Sequence, residues 1–125
     1  MSFLPKSALV AILLAPSALA ANLFVSHFNG NIYTLTYESQ GLSNSSLSID
    51  SVTTGCGNMP SWLTLDEKSR TLYCFDESWG GGVVSSFDIS NGSLELTGQA
   101  ETSGGDVHGY FYGGEDENSF LATAA

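Results

Sequence analysis

Thr53–Phe75, TTGCGNMPSWLTLDEKSRTLYCF, returns forty-eight residues later as Glu101–Thr123, ETSGGDVHGYFYGGEDENSFLAT. Few identities survive between the copies (Thr54/Thr102, Gly57/Gly105, Glu67/Glu115), but the order of physical types is kept. A Gly-containing turn leads into an apolar run, Trp62-Leu63 in one copy and Tyr110-Phe111 in the other. A charged turn follows (Asp66 to Arg70, then Glu115 to Asn118), and after it a second apolar run, Leu72-Tyr73 or Phe120-Leu121. Each copy reads as a β-hairpin. A hairpin recurring at this spacing marks an array whose units cannot bury their faces alone.

Working outward from the repeat, Asn22 to Phe28 and Asn31 to Glu38 are rich in Phe, Val, Ile, Tyr and Thr and flank Asn29-Gly30, a strong hairpin signal. Further strands are expected at Leu47 to Thr53, Ser61 to Asp66, Thr71 to Asp76, Val83 to Ile89, Leu94 to Ala100, Val107 to Gly113 and Ser119 to Thr123. No long 3.6-residue periodicity appears after residue 20, so the chain is all-β. With blade strands labelled a to d from the inside outward, the order is b-c-d, a-b-c-d, a-b. That amounts to about two four-stranded blades of a β-propeller, an incomplete ring, since propellers close with roughly 4 to 8 blades. Gly30 aligns with Gly82 and Thr54 with Thr102, which gives the first unit four extra residues, expected in the polar loop Ser39 to Ser46. Such a chain is expected to be an N-terminal fragment or a truncated gene product rather than a self-assembling unit, because the open faces of its end blades invite aggregation.

The first twenty residues differ from the rest. MSFLPK carries a positive charge, Ser7 to Leu19 is mostly apolar, and Ala18-Leu19-Ala20 is a small-x-small cleavage signal. Residues 1–20 therefore read as a secretory signal peptide and 21–125 as the mature, extracellular chain. The apolar run is short of the ~20 residues that span a bilayer, and Pro16 interrupts it. With Lys6 in the leader, Lys68 and Arg70 are the strong cations left against thirteen acids. Nucleic acid and anionic membranes are thus poor partners, since both need clustered Lys and Arg.

In a propeller the d-to-a and b-to-c loops share the face with the mouth of the central channel. His27, Asn29-Gly30, Cys56 to Pro60, Glu77 to Gly82 and Ser103 to His108 fall there, while Asn44, Lys68, Arg70 and Asn91 fall on the opposite face. Asn44-Ser45-Ser46 and Asn91-Gly92-Ser93 are N-glycosylation acceptors, although turns rich in Ser and Asn also produce this short motif by chance. His108 is the sharpest catalytic candidate: it opens an innermost strand where the preceding copy has Pro60, and a neutral imidazole there can act as acid or base. The alternative is a structural His bridging adjacent blades; His27, which ends a strand with Phe28 behind it, is expected to be structural. Asp76, Glu77 and Asp106 lie near the same face, but in so acidic a chain most carboxylates are expected to be solvated. Cys56 and Cys74 form an even pair in a secreted chain. Hairpin pairing sets Leu63 opposite Cys74, so a bridge needs the Gly57 to Met59 loop to fold back; otherwise Cys74 is a buried free thiol. No metal-ligand spacing, calcium loop or G-x-S-x-G elbow is present, and no cofactor is expected.

The runs GNMPSWLTLDEKSRTLYCFDES, GGVVSSFDISNGSLELTGQAETSGG and DVHGYFYGG resemble the blade pattern of the lactonase family of seven-bladed β-propellers, which includes bacterial-type 6-phosphogluconolactonases and fungal carboxy-cis,cis-muconate cyclases. The resemblance covers the mature chain and the first blades of the family's ring. It implies a secreted protein that opens or closes a lactone ring, acting on a small lactone or carboxylate, with His108 matching a His that the family carries at this place. The chain departs from the family in the turn that is usually Pro-Asp-Gly-Arg, here Asp66 to Arg70 and Gly114 to Asn118. The basic residues such enzymes use on anionic substrates come from later blades. Two other outcomes stay open: a non-catalytic propeller that binds carbohydrate or protein through Trp79, Tyr110 and Tyr112, and a truncated product without activity.

Overall fold

The computed structural model describes residues 19–39, 44–113 and 119–125. The expected leader lies outside the described residues except for Leu19 and Ala20, as do the tip of the polar loop and the 114–118 turn of the second repeat copy. Among the described residues every regular element is a strand: β1 Leu19–His27, β2 Asn31–Ser39, β3 Ser45–Thr53, β4 Pro60–Asp66, β5 Thr71–Asp76, β6 Gly82–Asp88, β7 Glu95–Thr102, β8 His108–Gly113 and β9 Ser119–Ala124. They form three antiparallel sheets in chain order, β1-β2-β3, β4-β5-β6-β7 and β8-β9. The all-β class is thus seen, and the grouping into sheets of three, four and two strands is that of a partial propeller.

The core lies on both faces of the four-stranded sheet. Toward the first sheet, Ile32, Cys56, Leu72, Cys74, Phe87, Ile89 and Leu94 form one buried cluster, with Phe24 and Leu63 packed against it. The period of two explains the split of β5: Leu72 and Cys74 face this cluster, whereas Tyr73 and Phe75 point the other way. There Tyr73 meets the ring of Phe111 edge-on at 5.0 Å. Phe75, fully buried, fills the space above Gly109. Sheet-on-sheet burial of this kind supplies the driving force that no single hairpin has.

In the full chain Leu19 and Ala20, the last two residues of the expected leader, pair with Ser39 and Glu38 of a long β2. Two expectations need correction. The extra residues of the first unit number five rather than four. A bulge recurs in both c–d pairs, at Thr34/Leu35 and at Ser86/Phe87, and it aligns Thr36↔Ser48, with eleven residues between, to Asp88↔Glu95, with six. They are also not all loop: three additional pairs, Tyr37↔Leu47 to Ser39↔Ser45, extend the hairpin. The second correction concerns the two repeat copies themselves. β4 carries an extra residue, Ser61, between the pairs Pro60↔Asp76 and Trp62↔Phe75, but β8 pairs with β9 without a bulge. A one-residue difference reverses the faces of the outer strand. Leu72 is accordingly buried at 2 % exposure while its counterpart Phe120 is 51 % exposed.

Candidate functional site

One end of the molecule gathers the 28–30 turn, the 54–59 connection, the 77–81 turn and the 103–107 connection. Hydrogen bonds pin the last three of these loops to one another. Asp76, at the end of β5, is buried, and its Oδ1 accepts from Met59 N (2.9 Å), Ser78 N (3.1 Å) and Ser78 Oγ (2.7 Å). Glu77 N donates to Met59 O at 3.0 Å, and Gly105 N to Ser78 O at 3.1 Å. Gly57 sits in the left-handed region (φ 74°), where a side chain would overlap the Asp76 carboxylate. The loop folded back in this way brings Cys56 to Cys74, and the two form a disulfide with Cα atoms 5.8 Å apart. Leu63 remains the strand partner of Cys74, so the bond joins β5 to the inter-sheet connection instead of crossing the hairpin.

His108 opens β8, as Pro60 opens β4. Its side chain is exposed, and its ring lies 4.5 Å from the ring of Trp62, tilted by 45°. Trp62 is held in turn: Nε1 donates to Thr64 Oγ1 (2.9 Å) and to Gly109 O (3.2 Å), and Thr64 Oγ1 donates to Gly109 O (2.9 Å). Ser61 Oγ donates to Asp106 O at 3.1 Å. The strand that carries His108 is thereby fastened to the preceding blade, and its imidazole rests on a fixed aromatic surface while staying open to solvent.

Asp76 and Asp106 depart from the expectation of solvated carboxylates: they are 3 % and 2 % exposed. Each links the loop before an innermost strand to the strand paired with it, but from opposite sides. In the second blade Asp76 reaches back from β5 to Met59; in the third, Asp106 reaches from the loop and its Oδ1 accepts from Thr123 Oγ1 on β9 at 2.6 Å. Asp106 Oδ2 is buried with no hydrogen-bond partner among the described residues. The repeat hides this exchange, because Asp106 aligns with Asn58 and Thr123 with Phe75.

His27 occupies the same end at the close of β1. Its Nδ1 accepts from Asn29 N at 3.1 Å, which in the neutral ring leaves the proton on Nε2. The ring stands edge-on to Tyr33, whose hydroxyl accepts from the amides of Asn29 (3.0 Å) and Asn31 (3.4 Å). Those donors, Asn29 first, hold the Tyr33 phenol below its ordinary pKa. A cleft of about 220 Å³ runs between this corner and β4, lined by Ser26, His27, Phe28, Pro60 and Ser61. A second, of about 350 Å³, is bordered by Asn58, Asp76, Gly82, Glu101 and Thr102. Trp79, on the 77–81 turn, is 84 % exposed; Tyr110 and Tyr112 are 66 % and 55 % exposed. Among the described residues no group of three or more His, Cys, Asp or Glu side chains is placed to hold a metal ion.

At the opposite end Arg70 closes its turn onto the next: Arg70 Nη2 donates to Ile89 O (3.3 Å) and Ile89 N to Arg70 O (3.0 Å). Asn44 and Asn91 are both exposed at this end. The structure thus brings His108 together with Trp62 and, through the same loop, with the buried Asp106. His27 lies at the neighbouring corner. Trp62 was readable in the repeat only as the counterpart of Tyr110, and nothing in its spacing signalled a ring that supports His108.

Comparison with known proteins gives one match. A model of the family described as lactonase, seven-bladed β-propeller, matches residues 22–125. No curated protein and no solved structure matches the chain.

Proposed function

Because the chain belongs to the lactonase family of seven-bladed β-propellers, we propose that it forms part of a secreted propeller that opens or closes the ring of a small lactone, either a sugar-acid lactone or a muconate-derived one. The observation that carries this reading is His108, an exposed imidazole at the start of an innermost strand, set against Trp62 at 4.5 Å on the end where the loops converge. In the hydrolytic direction His108 takes a proton from the water that attacks the lactone carbonyl. The carbon–ring-oxygen bond then breaks, and the same imidazole returns the proton to the departing alkoxide. Developing charge on the carbonyl oxygen needs oriented donors. His27 Nε2 and backbone amides of the mouth loops are the donors this chain offers.

Lactone hydrolysis and muconate cyclisation, assayed on the secreted protein and on His108→Ala, test the reading. General acid–base catalysis contributes ~10²–10⁴-fold, so turnover is expected to fall by at least about 100-fold in the variant. Unchanged turnover removes His108 from the mechanism, and no turnover on either substrate class counts against a lactonase. A second reading, a non-catalytic propeller that binds carbohydrate or protein, is favoured by Trp79, whose 84 % exposure at the same end suits a stacking surface. Retention on polysaccharide beads that Trp79→Ala abolishes supports it, and passage of the wild type through the beads at low salt argues against it.

A further inference from the structure

β3 and β7 are the outermost strands of their sheets, and neither has a neighbour on its far side among the described residues. An unpaired strand edge is a template for pairing with another chain unless something blunts it. Glu95 and Glu101 put charge on β7, but β3 carries Asp50 as its sole charge, and most of its positions are exposed, Leu47 at 58 %, Ile49 at 60 % and Val52 at 52 % among them. Asn44 immediately precedes β3, and Asn91 lies in the turn that leads into β7. Both head Asn-x-Ser triplets, Asn44-Ser45-Ser46 and Asn91-Gly92-Ser93, and both are exposed. Both stand at the end away from the converging loops.

We propose that Asn44 and Asn91 carry N-linked glycans, and that these two glycans stand at the same end of consecutive outer strands and keep their free edges from pairing with other chains. The inference rests on the secreted reading above, because the modification occurs on the secretory route. The amide nitrogen of each Asn attacks the anomeric carbon of a lipid-pyrophosphate-linked oligosaccharide. A carbon–nitrogen bond forms, the bond from that carbon to the pyrophosphate oxygen breaks, the nitrogen gives up one proton and the lipid pyrophosphate leaves. Exposed turns and strand starts give the transferring enzyme access, and the hydroxyl two residues on completes the acceptor. A bulky, hydrated group at each place blocks the approach of a second strand while leaving the opposite end open.

The chain is expressed in a glycosylating eukaryotic host behind its own first twenty residues and, in parallel, behind a leader known to direct secretion. Intact mass is read before and after treatment with a glycan-removing amidase. Two glycans are expected on secreted protein, with one lost in Asn44→Gln and one in Asn91→Gln. A bare mass on protein secreted behind the known leader overturns the proposal. If the chain's own leader fails while the other yields two glycans, the secreted reading falls and the acceptor sites stand. For the edge role, light scattering is expected to show association of the doubly substituted chain at concentrations where the glycosylated one stays monodisperse; equal behaviour of the two overturns that role.

Discussion

At the scale of single residues, the tightest fit is Phe75 over Gly109. Phe75 is fully buried, and a Cβ on Gly109 would fall inside its ring. Overfilling a packed site costs ~1–3 kcal/mol. Gly109→Ala should therefore lower the urea midpoint by that equivalent, whereas Gly113→Ala, which meets open space, should leave it nearly unchanged. The neighbouring pair, His108 on Trp62, shows what the sequence reveals at this scale. The exchange of Pro60 for His108 was visible from the repeat, since it is a change of residue type at a fixed place. Burial of Asp106 was not visible, because an acidic residue in a loop reads as solvated unless the hydroxyl that reaches it, here from Thr123, is known.

At the scale of elements, the strands and turns were legible because alternation and Asn-Gly, Gly-rich and Asp-rich turns are local signals. The bulge at Ser61 in β4, absent from β8, was not: register is set by which face finds a core, and that depends on the neighbouring sheet. The turns also carry a pH dependence. Asp66 closes the β4–β5 turn, its Oδ2 accepting from Ser69 Oγ at 2.7 Å and its Oδ1 from Lys68 N at 3.0 Å. Asp88 accepts from Ser90 N at 2.7 Å. These bonds, led by the Ser69 and Ser90 side chains respectively, hold both carboxyls below the ordinary aspartate range. A depressed folded pKa means that the stabilisation is present above the unfolded pKa and is lost as pH falls through the folded one. Melting temperature should drop on acidification through the carboxylate range, and Asp66→Asn with Asp88→Asn should flatten that drop. A profile as steep in the double variant as in the wild type would show that other groups carry it. Both residues are only half-buried and their carboxylates reach solvent, so the effect is small.

For the whole molecule, the sheets are held in sequence: first to second through the cluster around Ile32 and Phe87, second to third through Phe75 and Tyr73. The Cys56–Cys74 disulfide joins the first of these junctions to the second sheet, closing a loop with a sequence separation of 18. Loops of this size gain about 3 kcal/mol from the cross-link. Reduction, or Cys56→Ala with Cys74→Ala, should lower unfolding free energy by about that amount, read from denaturant melts with and without reductant; coincident melts would show the bond to be energetically idle. Pairing in all three sheets is confined to strands adjacent in the chain. A ribosome therefore releases the molecule in an order that suits it, since each sheet can zip from freshly exported sequence before the next one appears. Among the described residues the stacking steps then follow the direction of synthesis, with a short search for each strand.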